Sequence, residues 1–210
     1  MKHIFTIFLL VSLPSLLYAQ SFSVKVNAGS TGFGLEAVMQ VHETANVRLG
    51  GNFFSFSYLY ESDDEFDLDA DLSLGMFTLL MDYHPFKSAF RLTGGLVYNN
   101  NSVNAGLIPQ KSYTVGGDVY RPEELGNLDA EFSFNKVAPY VALGFGNPFS
   151  GSRFGLSTDI GLIFQGSPNV GMEAEGLLIP SAEQAPILED NVSWANLYPV
   201  FTLSFHYRIN

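Results

Sequence analysis

Seven carboxylates fall within eleven residues: Glu61, Asp63, Asp64, Glu65, Asp67, Asp69 and Asp71. Carboxylate oxygens are the natural ligands of hard cations such as Ca²⁺ and Mg²⁺. A cation-binding helix-loop-helix counted from Asp67 fails, because Leu72 stands where the loop needs glycine and Thr78 where it needs a bidentate glutamate. Asp63, Asp64, Glu65, Asp67, Asp69 and Asp71 are therefore candidates for cation attraction at a loop rim, against the plainer reading of a solvated charge run. Ser204 and His206 stand two residues apart, and a serine hydrolase would need an acid to orient that histidine. No such acid is identifiable here. Gly155-Leu-Ser157-Thr-Asp159 starts like a nucleophile elbow and lacks the closing glycine. Histidines are not in H-E-x-x-H spacing, and cysteine is absent, which removes disulfides, thiol catalysis and cysteine-held metals. The expectation is a protein that is not an enzyme and carries no cofactor.

Six other charges share a different property. Lys25, Glu36, Arg48, Arg91, Asp159 and Arg208 each fall on the polar side of a stretch that alternates apolar and polar residues. From Arg153 to Gln165, Phe154, Leu156, Thr158, Ile160, Leu162 and Phe164 oppose Gly155, Ser157, Asp159, Gly161, Ile163 and Gln165. From Leu197, the residues Pro199, Phe201, Leu203, Phe205 and Tyr207 oppose Tyr198, Val200, Thr202, Ser204, His206 and Arg208. Period two is the mark of a strand with two different faces.

These stretches predict strands near residues 21–28, 32–42, 46–60, 66–83, 89–100, 129–146, 153–167 and 195–209. Several run past ten residues, longer than most strands of soluble domains and long enough to cross a bilayer at a tilt. Charged residues are only 15% of the 210-residue chain and apolar residues 47%, too few charges to cover a soluble surface. Aromatic residues gather at the ends of the apolar faces, as at Phe90 and Tyr98 or Phe154 and Phe164. Lipid tolerates only helices or closed barrels, because unpaired backbone groups find no water there. The fold expected is all-β: a transmembrane antiparallel up-and-down β-barrel of eight strands. Short connections at 43–46, 84–88 and 146–152 alternate with long ones at 101–128 and 168–194. The count of eight requires a hairpin at Gly29–Gly32. The alternative makes residues 21–42 one strand and recruits Val170–Ile179 as the missing one. Further local expectations are an extra hairpin within Tyr113–Tyr120 and a helical turn over Pro186–Val192.

An eight-stranded interior is just wide enough for side chains to fill it. Charges in so narrow a space must pair. The six lumen charges thus predict a salt-bridged plug, with a gated pore as the alternative. Asp67, Asp69 and Asp71, opposite Phe66, Leu68, Ala70 and Leu72, are expected to line the outer mouth of the lumen.

Met1-Lys2-His3, the apolar run Ile4–Leu13 and the small residue Ala19 form a secretory signal peptide over 1–19. The run is about half of what a spanning helix needs. No cysteine follows it, so a lipoprotein anchor is not expected. The barrel domain is then 20–210. The formal charge of −11 gains one negative unit when Lys2 is removed, and argues against a nucleic-acid partner.

The stretches Gly32-Phe-Gly-Leu-Glu36, Asn46-Val-Arg-Leu-Gly-Gly-Asn52, Asp82-Tyr-His-Pro-Phe86 and Asn135-Lys-Val-Ala-Pro-Tyr140 resemble small bacterial outer-membrane proteins in the style of the OmpA-domain, OmpX and OmpW barrels. The terminal strand Tyr198–Asn210 resembles the carboxy-terminal assembly signal of such barrels, departing from it by ending on Ile209 and Asn210 rather than an aromatic residue. The resemblance implies the outer membrane of a Gram-negative cell, with contacts to its lipids and lipopolysaccharide and to the barrel assembly machinery. It implies location and fold without naming an activity, a ligand or an oligomeric state. The functional expectation is a structural or surface-interaction protein with a filled lumen. The alternatives are a narrow channel for small or apolar solutes, a lipid-modifying enzyme, or a soluble barrel with its faces inverted.

Overall fold

The structure, a computed structural model, describes residues 21–60, 66–116 and 118–210. The signal peptide and the acids Glu61, Asp63, Asp64 and Glu65 lie outside the described residues. The chain forms β1 (Phe22–Gly29), β2 (Gly32–His42), β3 (Ala45–Tyr60), β4 (Phe66–Tyr83) and β5 (Phe90–Asn99) as successive antiparallel neighbours. Next come β6 (Ser102–Pro109), a small hairpin of β7 (Tyr113–Val115) and β8 (Asp118–Tyr120), the short helix α1 (Pro122–Leu125) and β9 (Leu128–Ser133). The remainder is β10 (Val137–Phe145), β11 (Phe154–Phe164), β12 (Asn169–Ala174), helices α2 (Ile179–Ala182) and α3 (Ala185–Asn191), and β13 (Leu197–Arg208).

Eight of these strands close a barrel in the order β1-β2-β3-β4-β5-β10-β11-β13, and β13 returns to β1 over Ser23–Gly29. Closure leaves no edge in the wall, the condition a bilayer imposes. Gly29 pairs with Gly32 across a two-residue turn, and Gly32 has φ of +89°, a backbone conformation that glycine alone adopts freely. The hairpin is real, and Val170–Ile179 is not a barrel strand.

The expected strand over 129–146 is two strands. β9 and β10 are separated by Phe134–Lys136, because the first pairs with β6 and β12 while the second pairs with β5 and β11. β4 is 18 residues long and serves two sheets. Its second half pairs with β5 in the barrel, and Phe66–Ser73 pairs with β6. A second, five-membered sheet β12-β9-β6-β4-β3, built on the outer halves of β3 and β4, thus rises from one side of the barrel.

Side-chain parity is uniform around the wall. Phe33, Phe53, Phe77 and Leu156 are more than 60% exposed on the outside, while Lys25, Arg48, Arg91 and Asp159 are at most 2% exposed inside. This distribution excludes the inverted, soluble arrangement. Phe154 and Tyr207 pack with ring centroids 4.8 Å apart at the end where the chain terminates. Phe33, Phe53, Phe77, Tyr98 and Phe164 mark the opposite end of the apolar belt. Girdles of this kind flank the lipid-facing band of outer-membrane barrels.

Candidate functional site

The lumen contains three cations and three anions in one connected network. Lys25 stands opposite Glu36 in the β1–β2 ladder, and their side chains meet at 3.3 Å. Arg48 on β3 donates from Nη1 to Glu36 and to Asp159, each at 3.2 Å, while its Nε lies 3.2 Å from Asp82. Arg91 on β5 donates from Nη2 to both oxygens of Asp159 at 2.9 Å, and from Nη1 to the carbonyl of Gly146. Thr93 donates to Asp82 at 2.7 Å. Each ion is almost completely buried and each has a partner of opposite sign, which is what a narrow interior requires.

Gly144 explains how Arg91 and Asp159 reach each other. It sits between them in the β5-β10-β11 ladder, and a Cβ there would lie 2.6 Å from Arg91 Nε and from Asp159 Oδ1. The missing side chain is the space the ion pair occupies.

Five of the six lumen charges read from the sequence are brought together. The sixth, Arg208, is near the end of β13 and donates to the carbonyl of Gly151, outside the network. Its strand has run past the buried layer, so alternation gave its face without giving its depth. Asp82 was missed. It belongs to a strand whose polar face also carries Met76 and Leu80, so its sequence signal is a single acid in an apolar run.

Above the ions an apolar layer crosses the lumen. Met76, Leu80, Val97, Ala138, Tyr140, Ala142, Ile163 and Val200 pack there. The cavity left between this layer and the ions is about 30 Å³, enough for about one water. Further out, Asn99 donates to Gln165 at 3.3 Å, and Gln165 donates to the carbonyl of Ala195. At the other end, Asn46 Nδ2 and His84 Nε2 are 3.1 Å apart, and His84 Nδ1 is 3.0 Å from the Ser88 carbonyl. Nδ1 therefore carries the proton, and Nε2 accepts from Asn46. In the adjacent exposed turn, the hydrogen bond from Lys87 holds the Glu43 carboxyl below its usual range.

Ser204 and His206 are both buried on β13, on the lumen side. Their ladder partners are Asn27 and Ser157 for the serine, and Lys25 and Gly155 for the histidine. His206 thus faces a cation across the ladder.

The acidic stretch lies elsewhere than expected. The β3–β4 ladder runs without a register shift from Ala45↔Tyr83 to Tyr60↔Leu68. Parity therefore puts Asp67, Asp69 and Asp71 on the same face as Phe77, Leu79 and Met81, the outside of the wall. They do not line the lumen mouth; Leu68, Ala70 and Leu72 continue the inner face instead. The ladders place Asp69 in one row with Gly106, Asp129 and Glu173, and Asp71 in one row with Asn104, Glu131 and Gly171. These residues surround an open concavity of about 340 Å³. Ser57 donates to Asp71, and Gln110 donates to Asp67 at 2.8 Å. Among the described residues, no group of three or more His, Cys, Asp or Glu is arranged to hold a metal ion. Asp129, Glu131 and Glu173 were missed, although Asp129-Ala-Glu131 alternates in the same way as Asp67–Asp71.

Crystal structures of known proteins share this architecture. CarO2 of Acinetobacter baumannii aligns with a TM-score of 0.61 and 16% identity, over 90% of this chain and 98% of that one. CarO of the same organism gives 0.57 and 18%, over 88% and 96%. A major outer membrane protein of Thermus thermophilus gives 0.53 and 16%, over 91% and 100%. At such identities the likeness is one of fold, that of outer-membrane β-barrel proteins. No protein-family model matches the chain, and no curated protein is found similar to it.

Proposed function

We propose that this chain is an integral outer-membrane protein, exported with a cleaved signal peptide, whose filled barrel anchors a surface-interaction sheet outside the bilayer. One observation carries the reading: the lumen is occupied by a charge-balanced ion network beneath an apolar layer, with space for about one water between them. A conducting path needs a continuous file of water, and these side chains occupy its volume. The exposed apolar belt supports contact with membrane lipids. Lipopolysaccharide at the rim and the assembly machinery during insertion are the partners this location supplies. A non-catalytic role is supported by the ladder, in which the partners of Ser204 and His206 are Asn27, Ser157, Lys25 and Gly155, with no acid among them to orient the histidine.

The test is conductance of the purified full chain in planar bilayers. No unitary current steps are expected for the native protein. Discrete steps of constant size would overturn the filled-lumen reading and bring forward the narrow channel for small solutes.

A further inference from the structure

The wall of the barrel is not of even height. β1 and β2 stop at the Gly29–Gly32 turn, where β2 pairs with β3 no further than Phe33↔Phe53. β3 continues seven residues beyond that point, to Tyr60. On the other flank, β13 begins at Leu197 and pairs with β1 only up to Thr202↔Gly29. The hairpin tip is therefore the floor of a notch between the outer half of β3 and the start of β13. Hydrogen bonds fix that floor. Ser30 donates its backbone N–H to the Phe201 carbonyl at 2.9 Å and its hydroxyl to the Pro199 carbonyl, and the Tyr198 hydroxyl donates to the Ser30 carbonyl.

A cleft of about 390 Å³ occupies the notch, walled by Phe33, Phe54, Leu72, Leu74 and Tyr198. Its lining combines two parities. Phe33, 62% exposed, belongs to the lipid-facing belt, whereas Leu72 and Leu74 belong to the inner face of β4. The cleft therefore passes over the hairpin from the outside of the wall to the inside. It goes no deeper, because Met76 and the apolar layer close the lumen immediately below Leu74. A dead-end apolar cleft that opens sideways onto the lipid belt is a binding site rather than a passage.

We propose that this cleft binds one acyl chain of a membrane lipid, entered from the lipid-facing belt at Phe33. The occupant follows from continuity, since Phe33 belongs both to the belt and to the cleft wall, so a chain leaving the end of the belt has an apolar surface to follow into the cleft. Apolar contact along the chain is the expected source of affinity. The proposal rests on the membrane-spanning reading of the barrel.

The test uses the full chain, inserted in phosphatidylethanolamine–phosphatidylglycerol vesicles, extracted in mild detergent and weighed intact by native mass spectrometry. One retained phospholipid per chain is expected. Leu72→Asn, which makes the wall polar, and Leu72→Trp, which fills the space, should each lower retention roughly tenfold. Phe77→Asn, on the belt away from the notch, should leave it unchanged. No retained lipid in the native chain, retention in both Leu72 variants equal to that of the native chain, or a mass of two protein copies in place of the lipid would overturn the proposal. A fluorescence readout covers the case in which the Leu72 variants do not fold. In a Trp194→Phe background, Phe54→Trp should be quenched by lipids brominated on the acyl chain. Tyr58→Trp, on the same face four residues further out, should be quenched far less. Equal quenching at the two positions would overturn it. Insertion is read separately from the gel shift on boiling: its absence defeats the membrane reading, whereas a shift without lipid retention defeats this proposal alone.

Discussion

Asp159 accepts hydrogen bonds from Arg48 and Arg91 and lies 3.9 Å from Lys25, so all three lumen cations depend on it. Asp159→Asn would leave those three cations with Glu36 and Asp82 only, in a space with little water to compensate. Removing one member of a buried ion pair costs about 3–5 kcal/mol, because the remaining charge stays buried without its partner. The temperature at which the folded gel band converts to the unfolded one should fall accordingly. Adding Arg91→Gln to Asp159→Asn restores charge balance and should recover part of the loss. A single variant as stable as the native protein would show that the network contributes little to stability. The sequence indicated which face each of these charges takes. It predicted that they pair in a narrow lumen but not which partners meet, since Lys25 and Asp159 come from strands 134 positions apart in the chain and are brought together only when β13 closes on β1.

Among the elements, β4 carries two roles, and its division shows why the loop-side structure was hard to read. A strand of 18 residues exceeds what one bilayer crossing needs. The surplus, Phe66–Ser73, leaves the barrel and recruits β6, β9 and β12. The barrel does not need this sheet for closure, because β5 and β10 pair directly from Phe90↔Phe145 to Tyr98↔Val137. Replacing residues 102–134 and 168–194 with short turns should therefore leave a barrel whose gel shift on boiling persists. Loss of the shift would show that the outer sheet takes part in holding the wall together. The expected single strand over 129–146 failed for the same physical reason. Alternation continues from β9 into β10, but its apolar side moves from the even residues Leu128, Ala130 and Phe132 to the odd residues Val137, Val141 and Leu143, a phase reversal at the change of partner strands that a single strand passes over. The hairpin at Tyr113–Tyr120 and the helix α3, by contrast, follow from local turn and helix signals and were legible at once.

At the scale of the molecule, an apolar outside and an ionic inside make one cooperative closed object that lipid or detergent must surround. Extraction from membranes should require detergent. The extracted protein should migrate differently boiled and unboiled on a denaturing gel, because a closed barrel resists unfolding at room temperature. A detergent-independent protein without that shift would contradict the membrane assignment. The sequence by itself determined that the chain is all-β and which side chains of a strand share a face, and it favoured eight strands with the apolar face outward. Period-two alternation is a local property and survives without knowledge of partners. Tertiary structure decided the rest: the side of the wall to which Asp67, Asp69 and Asp71 belong, the addition of Asp82 and exclusion of Arg208, and the notch at Phe33 and Leu72. The notch and the exclusion of Arg208 depend on how far one strand outruns its neighbour, the other two on register and on which strands pair, and all of these are set by long-range pairing rather than by any residue's own chemistry.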